Sequence, residues 1–322
     1  MIELPAPDAQ VSFARLLRQF RDRCLQGVVT DVVAKLEIPV LDRQLAEYVP
    51  ASSLAALAGH GLRAELVFPT PLVLIARPEL LTYYRLLHGF SQKEFYRAGS
   101  GVGRFKAMEV SNALSGKAAP HVPDLCRAFA VVGRDLLSGL GDQALDARFL
   151  DDLSLLTLGP QLRGGANVKA GAAGISAVFE AIHTIVKRAV VKADPSRIEL
   201  LNGAGRRVVI EFASDPDIVI QEQIADAHVR QAVAIEVKAG RDFSNIHNRI
   251  GEAEKSHLKA RGRGFVECWT VVNVDKIDLR QARRESPSTD HFFRISDLSL
   301  GSGPAYDEFR NRVIGLTGIT AP

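Results

Sequence analysis

The sequence predicts an α/β protein: a mixed β-sheet flanked by helices, preceded by a mainly helical N-terminal region. Three observations lead there. The first half carries apolar residues at helical spacing among arginines. The second half carries short β-branched runs bounded by turn residues, with helical stretches between them. The change of pattern falls near Gly159-Pro160 and Gly164-Gly165, and proline and paired glycines punctuate chains. A chain of 322 residues is long for one domain and comfortable for two. The boundary is therefore placed near residue 160, with a helical domain over 1–160 and a second domain over 161–322.

In chain order, residues 9–36 read as helix, because Val11, Phe13, Leu16, Leu17, Phe20 and Cys24 recur at helical spacing. Short helices follow over 41–48 and 52–60. Residues 64–68 and 72–76 read as strands interrupted by Pro69 and Pro71. A helix restarts over 78–87, and Ser91 with Glu94 three residues on is a capping signature. Residues 122–140 and 146–158 are helical. Beyond the boundary, a helix over 173–191 precedes strands near 197–201, 206–212, 217–222 and 229–238. The first two of these strands turn at Asn202-Gly203-Ala204-Gly205. A helix over 243–261, a strand over 265–274, a helical stretch over 275–284, a short strand over 291–295 and a final helix over 306–316 complete the chain.

Composition sets bounds. The hydrophobic fraction of 47% supports packed cores and argues against disorder. Forty basic against 37 acidic residues leave a net charge of +3, and the pI is 8.8. The local distribution says more: from Lys238 to Arg263 there are seven Lys/Arg against three Asp/Glu. A basic patch beside carboxylates suits a nucleic-acid backbone passing over a metal. Cys24, Cys126 and Cys268 are far apart and form no CxxC pair, so reduced thiols are expected, with no zinc ribbon or disulfide framework. The N-terminus lacks the basic start and apolar core of a signal peptide, and no apolar run approaches a membrane span. A soluble cytoplasmic protein is expected.

The residues richest in chemistry are Asp215-Pro216-Asp217 and Glu236-Val237-Lys238. Glu236 and Lys238 are two apart and point to one face of a strand. Asp217 opens the run Ile218-Val219-Ile220 and could meet them across a meander. The run Ala232–Val237 is apolar but for Glu236, and an acid in a central strand is costly unless paired or metal-bound. Carboxylates are the usual ligands of Mg²⁺, which completes its shell with water and phosphate oxygens. On this reading Asp217, Glu236 and the Val237 carbonyl bind Mg²⁺, and Lys238 polarises a water or stabilises charge on a phosphate. Asp215 competes with Asp217, which is preferred because it directly precedes the strand. Glu180, on the helix before the sheet, either joins the site or is a solvated helix position. Glu211 is a weaker candidate.

Asn245, Asn248, Arg249 and Glu252 fall on one stripe of the helix over 243–261, with Ile246, Ile250 and Ala253 on the buried one. The polar stripe either contacts phosphates and base edges or is simply exposed. Arg241 and Asp242, just after Lys238, either read a G·C pair together or serve as a phosphate contact and a helix cap. The histidines form no metal cluster; His257 is placed on the helix's polar side. Segment 85–134 hints at a helix-turn-helix, but Arg97–Arg104 is too long and glycine-rich for its turn, so a helical scaffold is the better reading. Gly99–Gly103 fits neither a dinucleotide fingerprint nor a P-loop.

Asp217 followed by Glu236-x-Lys238 resembles the PD-(D/E)xK nuclease signature, and the helix and hairpin before it fit that context. The run Ala239–His257, together with Gly89-Phe90-Ser91-Gln92-Lys93-Glu94-Phe95-Tyr96, resembles the XcyI-type restriction endonucleases over most of the chain. The resemblance implies a restriction-endonuclease-like core and a type II restriction endonuclease that makes Mg²⁺-dependent double-strand cuts in DNA. It further implies a GC-rich palindrome, CCCGGG, and functional pairing with a cognate DNA methyltransferase. A palindrome asks for a two-fold symmetric reader, hence a homodimer. The N-terminal domain would then be a DNA-binding or dimerisation scaffold. The alternatives are a structure-specific repair or junction nuclease on the same core, and a non-catalytic DNA-binding regulator.

Overall fold

The structure, a computed structural model, describes residues 7–141, 145–225, 228–240, 245–274 and 277–320. The chain divides into two compact units, Met1–Gly164 and Gly165–Pro322.

The first unit is helical, with no strand among the described residues. The single helix expected over 9–36 is two: α1 (Asp8–Cys24) and α2 (Gln26–Val33). Leu25 between them is extended, and its side chain is buried against Leu86 and Leu158, so packing outweighs the continuous helical pattern. Next come α3 (Ile38–Tyr48) and α4 (Ala51–Gly59). The strands expected over 64–68 and 72–76 are absent. In their place are a 3₁₀ turn, Ala64–Leu66, and α5 (Pro71–Ala76). Pro71 opens that helix, and the Thr70 hydroxyl accepts from the Val73 amide at 3.3 Å. The proline was a helix start rather than a strand breaker.

Helix α6 (Leu81–Leu87) is buried on every side, Arg85 included. Arg85 donates to Glu109 at 2.8 Å, to the Phe90 carbonyl at 2.7 Å and to Gln161 at 3.1 Å, and the Tyr96 hydroxyl donates to Glu109 at 2.8 Å. This network fixes the segment around the short α7 (Gln92–Phe95), capped by Ser91. Four residues make no recognition helix, so the scaffold reading of this segment fits. Helices α8 (Lys106–Ser111), α9 (Val122–Leu140) and the first turns of α10 (Ala147–Val186) close the core around Phe68, Tyr83, Tyr84 and Phe129. Helix α10 runs through Gly159-Pro160 and Gly164-Gly165, which do not break it.

The second unit is a seven-stranded mixed sheet in sequential order: β1 (Val190–Asp194), β2 (Arg197–Leu201), β3 (Arg207–Phe212), β4 (Ile218–Ala225), β5 (His228–Lys238), β6 (Glu267–Val272) and β7 (His291–Arg294). Strands β1 to β5 pair antiparallel, whereas β5, β6 and β7 pair parallel. Parallel neighbours need crossovers, and α11 (Ile246–Gly262) and α12 (Leu279–Glu285) supply them. Helices α13 (Ile295–Leu300) and α14 (Pro304–Thr317) follow. This is the α/β class read from the sequence. Strand β1 was not expected, because its residues are mostly exposed and carry no alternation; pairing with β2 holds it.

Strand alternation divides the core between the two faces of the sheet. On one face Ile210, Ile218, Ile220, Val233, Ile235 and Val237 pack with Val178, Phe179, Ile182 and Val186 of α10 and Phe309 and Val313 of α14. On the other, Val219, Ala234 and Cys268 meet Ala260 of α11.

Candidate active site

The β4–β5 ladder ends at the pair Ile218–Ile235, so the last residues of β5 have no strand partner on that side. The Lys238 carbonyl accepts from the Asn273 amide at 3.1 Å, on the β6 side. Successive residues of a strand turn their amides and carbonyls to opposite sides, so Val237 presents both to the open side. There the carboxylate of Asp217, the residue before β4, takes the place of the missing strand: Oδ2 accepts from the Val237 amide at 2.8 Å. The two residues, twenty apart in sequence, are thereby joined.

Glu236 and Lys238 point to the α11 face, as does Ala234 two residues earlier. Glu236 is 7% exposed, and Lys238 Nζ donates to its Oε1 at 2.8 Å. Lys238 also lies 3.9 Å from Glu252 of α11, whose side chain is 66% exposed. Burial raises the pKa of both Asp217 and Glu236. The Asp217 charge adds to the shift of Glu236, and Asp215 adds to that of Asp217. The pair is thus held where its own negative charge is poorly compensated, with one lysine for two acids.

Such a donor set fits a divalent cation. Among the described residues no cluster of three or more His, Cys, Asp or Glu side chains is placed to hold a metal. Mg²⁺, however, keeps several waters and takes only one or two carboxylates. Asp217, Glu236 and the open-side carbonyl of Val237 supply two carboxylates and a backbone oxygen.

Two close contacts fix the end of this strand. A Cβ on Gly174 of α10 would lie 2.2 Å from the Cβ of Ala239. A Cβ on Gly240 would lie 1.6 to 2.3 Å from the guanidinium atoms of Arg249 on α11. Ala239 therefore faces α10, Gly240 faces α11, and the alternation continues past Lys238. Neither glycine was singled out in the sequence. A glycine at a strand end does signal close approach, but nothing sequential says of what.

The other sequence candidates are distributed unevenly. Asp215 is tied to α11: Lys259 donates to its Oδ2 at 2.7 Å, and Arg263 donates to its carbonyl. The Lys259 and Ser256 hydrogen bonds hold its carboxyl below the usual range. Glu180 is not brought to the site. Its side chain is 71% exposed and lies 3.8 Å from the imidazole of His183, one turn on in the same helix. Val178, Phe179 and Ile182 take the sheet-facing side of the helix, which leaves Glu180 to solvent. Glu211 pairs with Arg197 at 2.5 Å. Asn245, Asn248 and Arg249 do share one side of α11, and Asn248 donates to Asn245 at 2.9 Å. Arg241 and Asp242 lie outside the described residues. His257 belongs to the buried side of α11, not the polar one. It bonds Thr270, the register partner of Glu236, at 2.8 Å, and burial lowers its pKa to about 4.

Sequence comparison gives the class first: relatives that span the whole chain are type II restriction enzymes. The type II restriction enzyme Cfr9I of Citrobacter freundii is 53% identical over 99% of this chain and 98% of its own length. The type II restriction enzyme XcyI of Xanthomonas campestris pv. cyanopsidis is 53% identical over 99% of this chain and 97% of its own length. Residues 14–320 match the family model for XcyI restriction endonuclease, and the chain belongs to that family.

Proposed function

We propose that this chain is a type II site-specific deoxyribonuclease with a PD-(D/E)xK centre. It makes Mg²⁺-dependent double-strand cuts in DNA at a short GC-rich palindrome, CCCGGG. The observation that carries the reading is the Asp217–Val237 hydrogen bond, which brings Asp217 to the Glu236–Lys238 pair at the open end of β5. Asp217, Glu236 and the Val237 carbonyl hold the metal. When bound, Mg²⁺ lowers the pKa of a water and offsets charge on the scissile phosphate. Asp217 fixes the strand end through the Val237 amide, so the carboxylates are set before substrate arrives. Lys238, anchored by Glu236, holds positive charge where the phosphate gains negative charge. The polar side of α11, with Asn245, Asn248 and Arg249, faces the DNA, and Arg241 and Asp242 contribute to reading it.

Family membership supports the substrate, and a palindrome calls for a homodimer. The helical unit serves as the DNA-binding or dimerisation scaffold. Such an enzyme works in the cytoplasm beside a cognate methyltransferase that shields the host's own sites. Three buried free thiols suit that reducing compartment, and no helix among the described residues is long and apolar enough to cross a membrane.

The test is incubation with plasmid DNA and Mg²⁺, followed by sequencing of the ends. Unique ends within CCCGGG are expected. Ends at another duplex sequence would refute the site, and cutting only at branched DNA would identify a structure-specific nuclease instead.

A further inference from the structure

Arg249 is half-buried on α11, yet it makes no ion pair or side-chain hydrogen bond among the described residues. Acids are within sequence reach, including Glu252 one turn on, but the guanidinium turns to none of them. It lies instead on the backbone of Gly240, whose missing side chain is the space it occupies. The backbone of Gly240 is not in the left-handed region, so a glycine stands there for clearance and not for its dihedral angles. Gly240 is two residues past Lys238 on the same face, roughly 7 Å along the strand. Two cations, Lys238 and Arg249, thus come to the same face of the strand end. Only Lys238 has an acid against it, at 2.8 Å.

We infer that Arg249 binds the non-bridging oxygens of the scissile phosphate and that Gly240 is the notch that seats it. The inference rests on the reading of Asp217, Glu236 and Lys238 as the cutting centre. Two cations on one face beside carboxylates call for an anion with several oxygens, and a guanidinium matches phosphate with two parallel donors. A side chain reading a base has to reach forward into a groove. This one is laid back against the Gly240 backbone, which suits a charge aimed at the reacting group. Arg249 is then a catalytic residue, and Gly240 a positioning residue that acts through it.

The experiment compares Arg249→Ala, Arg249→Lys, Gly240→Ala and the double variant Gly240→Ala/Arg249→Ala. It measures single-turnover cleavage with Mg²⁺, and binding of cognate and random duplexes with Ca²⁺ at two salt concentrations. Arg249→Ala should slow cleavage by about 10² to 10³-fold. Its affinity should fall about equally on both duplexes, with a salt slope weaker by about one phosphate contact. Arg249→Lys should recover only part of the rate, since the fork is lost. Gly240→Ala displaces the guanidinium and should slow cleavage in the same direction as Arg249→Ala, and the double variant should be no slower than Arg249→Ala alone. Wild-type cleavage by Arg249→Ala would overturn the inference, as would an affinity loss confined to the cognate duplex or additive losses in the double variant. Asp217→Ala run alongside separates the two levels. If it cuts normally the site itself is misassigned and the inference falls with it. A dead Asp217→Ala beside a fully active Arg249→Ala removes only the role of Arg249.

Discussion

Gly174 and Gly171 lie one helical turn apart on α10, and alanine should have opposite effects at the two positions. At Gly171 a Cβ would meet nothing within 4 Å, so alanine gains helix propensity, about 0.8–1 kcal/mol. At Gly174 a Cβ would sit 2.2 Å from the Cβ of Ala239 and 3.1 Å from Cδ1 of Ile295. Carbon atoms pack at about 3.5–4.0 Å, so the helix and the strand end must separate by more than about 1 Å. Overpacking of this kind costs about 1–3 kcal/mol. A clash between two short, rigid groups belongs at the upper end, and after the helix-propensity gain about 2 kcal/mol of destabilisation remains. In a unit of this size that is a fall of about 4–8 °C in Tm, against a rise of a few degrees for Gly171→Ala. Trp269, the only tryptophan, is fully buried in the sheet core, so its fluorescence reports unfolding of this unit. Gly174→Ala/Ala239→Gly should regain most of the loss. If Gly174→Ala is as stable as Gly171→Ala, the contact of α10 with the end of β5 is wrong.

Two further outcomes follow from buried charge. Asp217→Asn keeps an oxygen for the Val237 amide while removing a carboxylate whose pKa is raised by burial and by Asp215. The metal-free variant should therefore be more stable than wild type at pH 8, by about 1 kcal/mol, and Mg²⁺ should stabilise wild type but not the variant. For His257, burial depresses the folded pKa to about 4, below the ordinary 6.5. The unfolded chain then takes up the proton first, and stability is full above about pH 6.5. It falls as the pH drops toward 4, by about 1.4 kcal/mol per pH unit. His257→Gln should flatten that slope in urea titrations followed through Trp269, and an unchanged slope would reject a neutral buried histidine.

Where a residue's neighbours lie close in sequence, the chain was legible. The hairpin, the β4–β5 meander, the Glu236-x-Lys238 face and the buried stripe of α11 all follow from periods of 2 and 3.6. Errors arose where tertiary contact overrides local pattern. Leu25 breaks a continuous helical periodicity because its own side chain is needed in the core. Gly159-Pro160 does not break α10, although its residues are those that usually do. Strand β1 has no apolar alternation because Val190 is the one side chain it packs against the core, and its other four residues are exposed. At the site, sequence favoured Asp217 over Asp215 by a single argument, its place before the strand. The geometry adds that Asp217 reaches Val237 while Asp215 turns to Lys259. Glu180 was a candidate on helix position alone, and the angular place of one residue on a helix is what the sheet contacts decide. The seating of Arg249 on Gly240 leaves no local trace, since a glycine's clearance is visible only when the group it clears is in place.

If Asp217, Glu236 and Lys238 form one cutting centre, cleavage needs all three. The measurement is single-turnover cleavage of a CCCGGG duplex by Asp217→Ala, Glu236→Ala and Lys238→Ala, with binding of the same duplex in Ca²⁺ followed in parallel. Groups that act as a unit fail together. Each variant should lose at least about a thousandfold in rate while holding the duplex within about tenfold of wild-type affinity. Wild-type cleavage by any one of the three would show that they do not form one centre.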